Sequence, residues 1–191
     1  DERLHSWIID NMLQAEFDTG AARHTLITGI DYQRGKSNVA YYGAAAANLD
    51  AFNPVYGAPV TPGAAFVQTR RLEQTGLYMQ DLIELDRWRL SLGVRQDWVE
   101  TEVETAAAGT SSGKDSSQLT YRAGVLYLFD NGVVPYLSYS QSFNPNSTAD
   151  ASGNPLEPTE GTQWELGIKY QPVGHDDLYT ASLFHIEQEN L

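Results

Sequence analysis

Trp88-Arg89-Leu90-Ser91-Leu92-Gly93-Val94-Arg95-Gln96-Asp97-Trp98 alternates with a period of two. Trp88, Leu90, Leu92, Val94 and Trp98 fall on one face; Arg89, Ser91, Gly93, Arg95 and Asp97 fall on the other. Successive strand side chains point to opposite sides, so this is a strand with one apolar and one polar face. Working outward, Trp164, Leu166, Ile168 and Tyr170 form a second such stripe, and Leu119, Tyr121, Ala123, Val125, Tyr127 and Phe129 a third. Leu26, Thr28, Ile30 and Tyr32 form a fourth. Trp7, Ile9, Leu13, Ala15 and Phe17 form a fifth, interrupted by Asn11. Residues 72–85, 133–143 and 178–189 are strand-like without a clear apolar face. The pattern predicts eight strands and no helix, since the alanine run at 44–47 is short and flanked by Gly43 and Asn48.

The breaks between strands sort by length. Residues 19–23, 86–87, 130–132 and 172–177 are short; 37–67, 105–117 and 144–161 are long. Short and long alternate without exception, as in an outer-membrane barrel with tight periplasmic turns and long extracellular loops. The apolar stripes also end in rings: Trp88 and Trp98, Tyr121 and Phe129, Trp164 and Tyr170. Amphipathic rings at both ends of an apolar band suit two lipid interfaces. The stretch from Tyr127 to Phe143 reads as a hairpin turning at Asp130-Asn131-Gly132, with Ser138, Ser140 and Ser142 on a hydrated side. The fold expected is all-β: antiparallel up-and-down strands forming part of an outer-membrane barrel. A soluble β-sandwich also alternates, but nothing in it sorts loops by length.

Composition sets outer bounds. The chain has 191 residues, a net charge of -13 and no cysteine. The acidic balance argues against a nucleic-acid partner, and the cysteine count removes disulfides and thiol chemistry. The first residues carry no signal-peptide pattern, and no apolar run approaches the ~18 residues of a spanning helix. That test does not register membrane strands, which average out as polar.

Several stretches resemble the TonB-dependent siderophore receptors. Leu26-Ile27-Thr28-Gly29-Ile30-Asp31-Tyr32 resembles their LxGxDY strand, and Gln74-Thr75-Gly76-Leu77-Tyr78-Met79-Gln80-Asp81 their xTGxYxQD strand. Leu92-Gly93-Val94-Arg95-Gln96-Asp97-Trp98 is similar to LGxRxDW. Val134-Pro135-Tyr136-Leu137-Ser138-Tyr139-Ser140-Gln141-Ser142-Phe143-Asn144-Pro145 is similar to xPYxSYSxSFxP. Pro158, Gly161, Gln163, Glu165, Gly167 and Lys169-Tyr170 fit PxxGxQxExGxKY. Asn53-Pro54-Val55-Tyr56-Gly57 and Leu128-Phe129-Asp130-Asn131-Gly132-Val133 look closest to the ferrichrome, or hydroxamate-siderophore, branch.

The resemblance implies a barrel of 22 strands around an N-terminal plug, importing ferric siderophores with energy from the TonB system. Residues 1–191 would be a partial barrel domain, without the plug and the remaining strands, both ends lying at the extracellular rim. The expected location is the bacterial outer membrane. The expected partners are a ferric siderophore, the TonB system through the plug, outer-membrane lipid and lipopolysaccharide. No enzyme activity, resident cofactor or metal site is expected. Two other readings fit parts of the pattern: a self-contained eight-stranded barrel with a structural or adhesive role, and a soluble β-sandwich binding module.

No catalytic constellation emerges. His5, His24, His175 and His185 read as scattered surface or lumen histidines, and Asp176-Asp177 as a solvated turn. Glu100, Glu102 and Glu104 share a face beyond Trp98; such a row fits a strand rising into water, or a hard cation bridging to lipopolysaccharide. The long insert carries Tyr41, Tyr42, Phe52, Tyr56 and Phe66. A tyrosine offers a flat apolar body and a polar handle, which suits an already wrapped ferric chelate. These five are the candidate ligand-binding residues. Arg70 and Arg71, where the insert returns to the barrel, are candidates for an anionic chelate or lipid phosphate.

Overall fold

The computed structural model describes residues 2–45, 50, 52–54, 56–57, 59–106, 109–146 and 156–190. They form β1 (Glu2–Thr19), β2 (Ala22–Tyr41), β3 (Phe66–Leu85), β4 (Trp88–Thr105), β5 (Thr110–Tyr127), β6 (Val133–Asn144), β7 (Thr159–Tyr170) and β8 (Tyr179–Glu189). The strands make one eight-stranded sheet in chain order, each antiparallel to the next. Among the described residues β1 does not pair with β8, so the sheet is open and not a closed eight-stranded barrel. Ala46, Ala47, Asn48, Val55 and residues 147–155 of the 144–161 loop lie outside the described residues.

The register assigns both faces of every strand. Leu92 pairs with Asp81 and Ala123, Leu26 with Asp81, and Leu137 with Val125 and Leu166. The apolar face left open on three strands is thereby fixed. It carries Leu77, Met79, Ile83 and Leu85 on β3, Leu137 and Tyr139 on β6, and Tyr179, Ala181 and Leu183 on β8. Almost none of it is covered: among the described residues only Val39, Val99 and Val103 are buried hydrophobics, while Leu92 is 47% and Trp164 52% exposed. A sandwich would bury this face against a second sheet. Here it is a single lipid-facing band.

Rings bound the band on both sides. Toward the long loops Trp7 packs on Tyr32 (5.2 Å) and Tyr139 on Trp164 (4.7 Å). Toward the short turns Trp88 meets Tyr127 (4.8 Å), Tyr127 meets Phe129 (4.7 Å) and Tyr170 meets Tyr179 (6.3 Å). The strands overrun the band. β2 and β3 have 20 residues and β4 and β5 have 18, against the ~9–11 that span a bilayer.

That overrun corrects one loop expectation. The ladder between β4 and β5 continues to Thr105↔Thr110, so residues 110–117 are strand and the connection shrinks to 106–109. Likewise β2 runs on to Tyr41, five residues beyond the expected end at 36. The sequence of these extensions carries no sustained apolar alternation; they are held by backbone pairing and by side-chain bonds such as Ser111 to Glu102 (2.9 Å) and Thr69 to Asn38 (3.0 Å).

The short turns are shaped by backbone sign. Asp86, at φ 50°, makes the two-residue turn with Arg87, and Gly132 sits at φ 83°. Gly132 donates its amide to Phe129 O (3.1 Å) and accepts from Gln171 N (2.9 Å). A side-chain carbon at Gly132 would collide with the Gln171 carbonyl.

One seam is thin. β5 and β6 share only Arg122↔Ser140 to Leu126↔Tyr136, whereas β4 and β5 are paired along their whole lengths. The next partner on the periplasmic side is Pro135, which has no N–H to donate. At the other end the Gln141 side chain accepts the Tyr121 amide (3.2 Å) in place of a backbone partner.

Two outcomes follow for the complete receptor folded into lipid vesicles. Leu92→Arg, in the middle of the lipid band, lowers unfolding free energy by about 2–4 kcal/mol in denaturant titration, while Ser140→Arg on the wet side changes it by less than about 1 kcal/mol. Gly132→Ala costs about 1–2 kcal/mol from its positive φ, with the collision in addition.

Candidate functional site

The polar face is a cross-braced wall. Arg95 of β4 donates to both carboxylate oxygens of Asp31 on β2 (2.6 and 3.0 Å) and to Asp97 (2.7 and 2.8 Å). It reaches across β3 because Gly76 has no side chain there; any Cβ would strike the guanidinium. Gln74 donates to Asp97 (2.8 Å), which is 3% exposed. Tyr78 crosses Gly29 in the same way and donates to Asp10 on β1 (2.9 Å). Arg122 lies over Gly93 and bonds Gln80, and Tyr136 lies over Gly167 and bonds Glu165. Each bridge ties side chains on strands that already share a ladder, or on strands two apart. Charge-assisted bonds in a partly buried wall hold geometry more than they add stability.

At the long-loop rim, Tyr41 ends β2 and Phe66 starts β3, and the two are register partners on this polar face. Arg70 shares the face and donates to Gln68 (2.8 Å). The loop between them opens outward. Tyr42 is 63%, Tyr56 78% and Phe52 100% exposed, and an Asx turn at Asp50 receives the Phe52 amide (2.8 Å). The structure therefore joins Tyr41 and Phe66 into one edge of the wall and holds Tyr42, Phe52 and Tyr56 out in solvent. Among the described residues no stacked ring pair links any of these five.

Arg70 and Arg71 part company. Arg71 lies on the opposite, outer face, where it donates to Glu102 (2.8 Å) and Glu104 (3.4 Å). Two carboxylates of the row beyond Trp98, Glu102 and Glu104, thus already face a protein cation, and Ser111 adds a further bond to Glu102 (2.9 Å). Arg71 and Ser111 together hold the Glu102 carboxyl below its usual range. Among the described residues no three acidic or histidine side chains are grouped to hold a metal.

His24 departs from the expected scatter. It sits on the apolar face, stacked on Phe17 (4.9 Å), with Nδ1 on Asp81 (2.7 Å) and Nε2 on the Thr19 hydroxyl (2.7 Å). The second Asp81 oxygen is enclosed without a hydrogen-bond partner. His24 and Asp81 are 57 residues apart, so only strand register brings them together.

The family model for "TonB dependent receptor-like, beta-barrel" matches residues 1–191. The chain belongs to the TonB-dependent receptor β-barrel family. Its strands are accordingly outer-membrane strands, and the apolar band faces lipid. The chain is 45% identical over its whole length to the ferrioxamine B receptor of Salmonella typhimurium, and 38% identical to the ferrichrome outer membrane transporter/phage receptor of Escherichia coli. It spans 27% of the length of each. Among solved structures, the alcaligin outer membrane receptor FauA of Bordetella pertussis superposes on 100% of the chain at a TM-score of 0.74 and 24% identity, using 30% of that protein. The ferric citrate transporter FecA superposes on 98% at a TM-score of 0.72 and 20% identity, using 28%. Both likenesses are of fold.

Removing the brace tests the wall. Arg95→Ala strands the Asp31 and Asp97 carboxylates, and the expected loss stays below the ~3–5 kcal/mol of a fully buried pair because Arg95 is one-third exposed. Arg95→Ala paired with Asp31→Asn recovers part of it in the same unfolding assay. At the outer face, acidification through the depressed Glu102 titration releases Arg71, so Glu102→Gln flattens the acid limb of stability; the contribution is complete above the unfolded-state pKa and is lost as pH falls from there through the lower folded-state pKa.

Proposed function

We propose that this chain is a wall segment of an outer-membrane receptor that binds ferric hydroxamate siderophores of the ferrichrome type and imports them with energy from the TonB system. The observation that carries the reading is end-to-end identity with receptors named for ferrioxamine B and ferrichrome. The geometry supports it in two ways. The polar face is a rigid wall fit to line a wet lumen, and its outer edge presents Tyr41, Phe66 and Arg70 together. Rings with polar handles suit the amide and hydroxamate edges of a chelate whose iron is already coordinated.

Each partner has its place in this reading. The siderophore meets Tyr41 and Phe66 at the rim, with Tyr42, Phe52 and Tyr56 closing over it from the loop. A plug supplied by the rest of the receptor rests against the Arg95 wall and carries the TonB contact. Lipid covers the apolar band, and lipopolysaccharide meets the charged rows above it. The protein acts by binding and gating, not by bond chemistry, and needs no resident cofactor.

In the complete receptor, iron-loaded ferrichrome or ferrioxamine quenches tryptophan fluorescence. Tyr41→Ala together with Phe66→Ala weakens that binding by about tenfold or more, the range for truncating aromatic anchors. Binding unchanged in the double variant removes the rim from the site. The absence of any quenching by either chelate in the native receptor overturns the hydroxamate assignment itself.

A further inference from the structure

The thin seam between β5 and β6 leaves a groove on the lipid-facing side. Its volume is about 590 Å3, and its walls are Trp88, Tyr127 and Phe129 on one flank and Pro135, Leu137 and Leu166 on the other. The cause is local: the paired ladder ends at Leu126↔Tyr136, Pro135 offers no amide, and the hairpin is closed in the same register by Phe129 N donating to Val133 O (3.0 Å), so the groove lies over a stretch short of one donor. The ring wall is fixed by the edge contacts of Tyr127 with both Trp88 and Phe129. All of this lies at the short-turn end of the band, within the periplasmic leaflet.

A charge pair stands at the mouth. Arg87 of one turn donates to Asp130 of the next (2.6 Å), and the two residues directly adjoin Trp88 and Phe129 of the ring wall in the chain. Both groups stay accessible: Arg87 is 42% and Asp130 80% exposed. Backbone keeps the turns in register, with Leu128 N donating to Arg87 O (2.9 Å). A cation and an anion side by side above an apolar slot match a headgroup that carries a phosphate and an ammonium above an acyl chain.

We infer that this groove is a binding site for one zwitterionic phospholipid of the phosphatidylethanolamine class. An acyl chain lies between the ring wall and Leu137–Leu166, the phosphate meets Arg87 and the ammonium meets Asp130. The acyl chain fills the apolar groove over the Pro135 position, where the ladder is short of one donor, so the lipid is a structural ligand of the seam. The inference rests on the outer-membrane placement and is independent of which chelate the receptor takes.

The test is native mass spectrometry of the complete receptor in detergent, incubated separately with phosphatidylethanolamine and phosphatidylglycerol of matched chains. The expected result is one retained phosphatidylethanolamine, favoured about tenfold over phosphatidylglycerol. Arg87→Gln with Asp130→Asn abolishes that preference. Leu166→Trp fills the groove and lowers retention about tenfold, with folding checked by heat-modifiable gel migration; Val125→Phe serves if Leu166→Trp fails that check. Equal retention of the two lipids by the native receptor marks ordinary annular lipid and overturns the site. Preference for phosphatidylglycerol overturns the zwitterionic assignment, and retention unchanged in a folded groove-filling variant overturns the location.

Discussion

Everything in this sheet depends on the antiparallel backbone ladder. In hydrocarbon an unpaired amide or carbonyl has no water to turn to, so every strand must be satisfied by its neighbours. Once the ladder is set, side-chain period does the rest. A strand whose odd residues face lipid forces its neighbour's register partners to the same side, and the assignment passes from β1 to β8 without a break. This is why Leu137 and Leu183, which no local pattern placed, have a definite face. It is also why the short β5–β6 ladder matters: at Pro135 it lacks a donor, and at Tyr121 a side chain stands in for the backbone.

The two faces are built on opposite principles. The lipid face is largely apolar and bounded by ring pairs at both levels, and its side chains are mostly exposed among the described residues. The wet face is rigid through side chains that span neighbouring strands. Glycine makes that possible: Arg95 over Gly76 and Tyr78 over Gly29 occupy space that any other residue would fill. The glycines of the LGxRxDW and xTGxYxQD stretches are thus read as clearances for a long neighbour rather than as turns. A wall braced in this way holds its shape through its side chains as well as its ladder.

Two sets of charged or ionisable groups on the outer face are paired. His24 and Asp81 meet just inside the periplasmic ring level, with Phe17 and Thr19 completing the environment of the imidazole. Above the opposite ring level Arg71 answers Glu102 and Glu104. Ionic contact in and near lipid is therefore local and short-range, and the acidic excess of the chain resides on its wet surfaces and extensions.

The sequence by itself determined the number and order of strands, the alternation of short and long connections and the apolar faces of five strands. Those features follow from period-two patterning and turn chemistry, which act over a few residues. It also carried the family's motifs in order, and the family match extends over the same residues. It did not determine where strands end above the bilayer, because those stretches are polar and carry no apolar alternation; hence residues 110–117 read as loop and fold as strand. Nor did it determine which rim residues stand together. Tyr41 and Phe66 are joined, and Arg70 and Arg71 separated, by a register between strands a loop apart. His24 with Asp81 and the groove beside Pro135 are likewise products of pairing between distant segments, and only the tertiary structure decides such pairings.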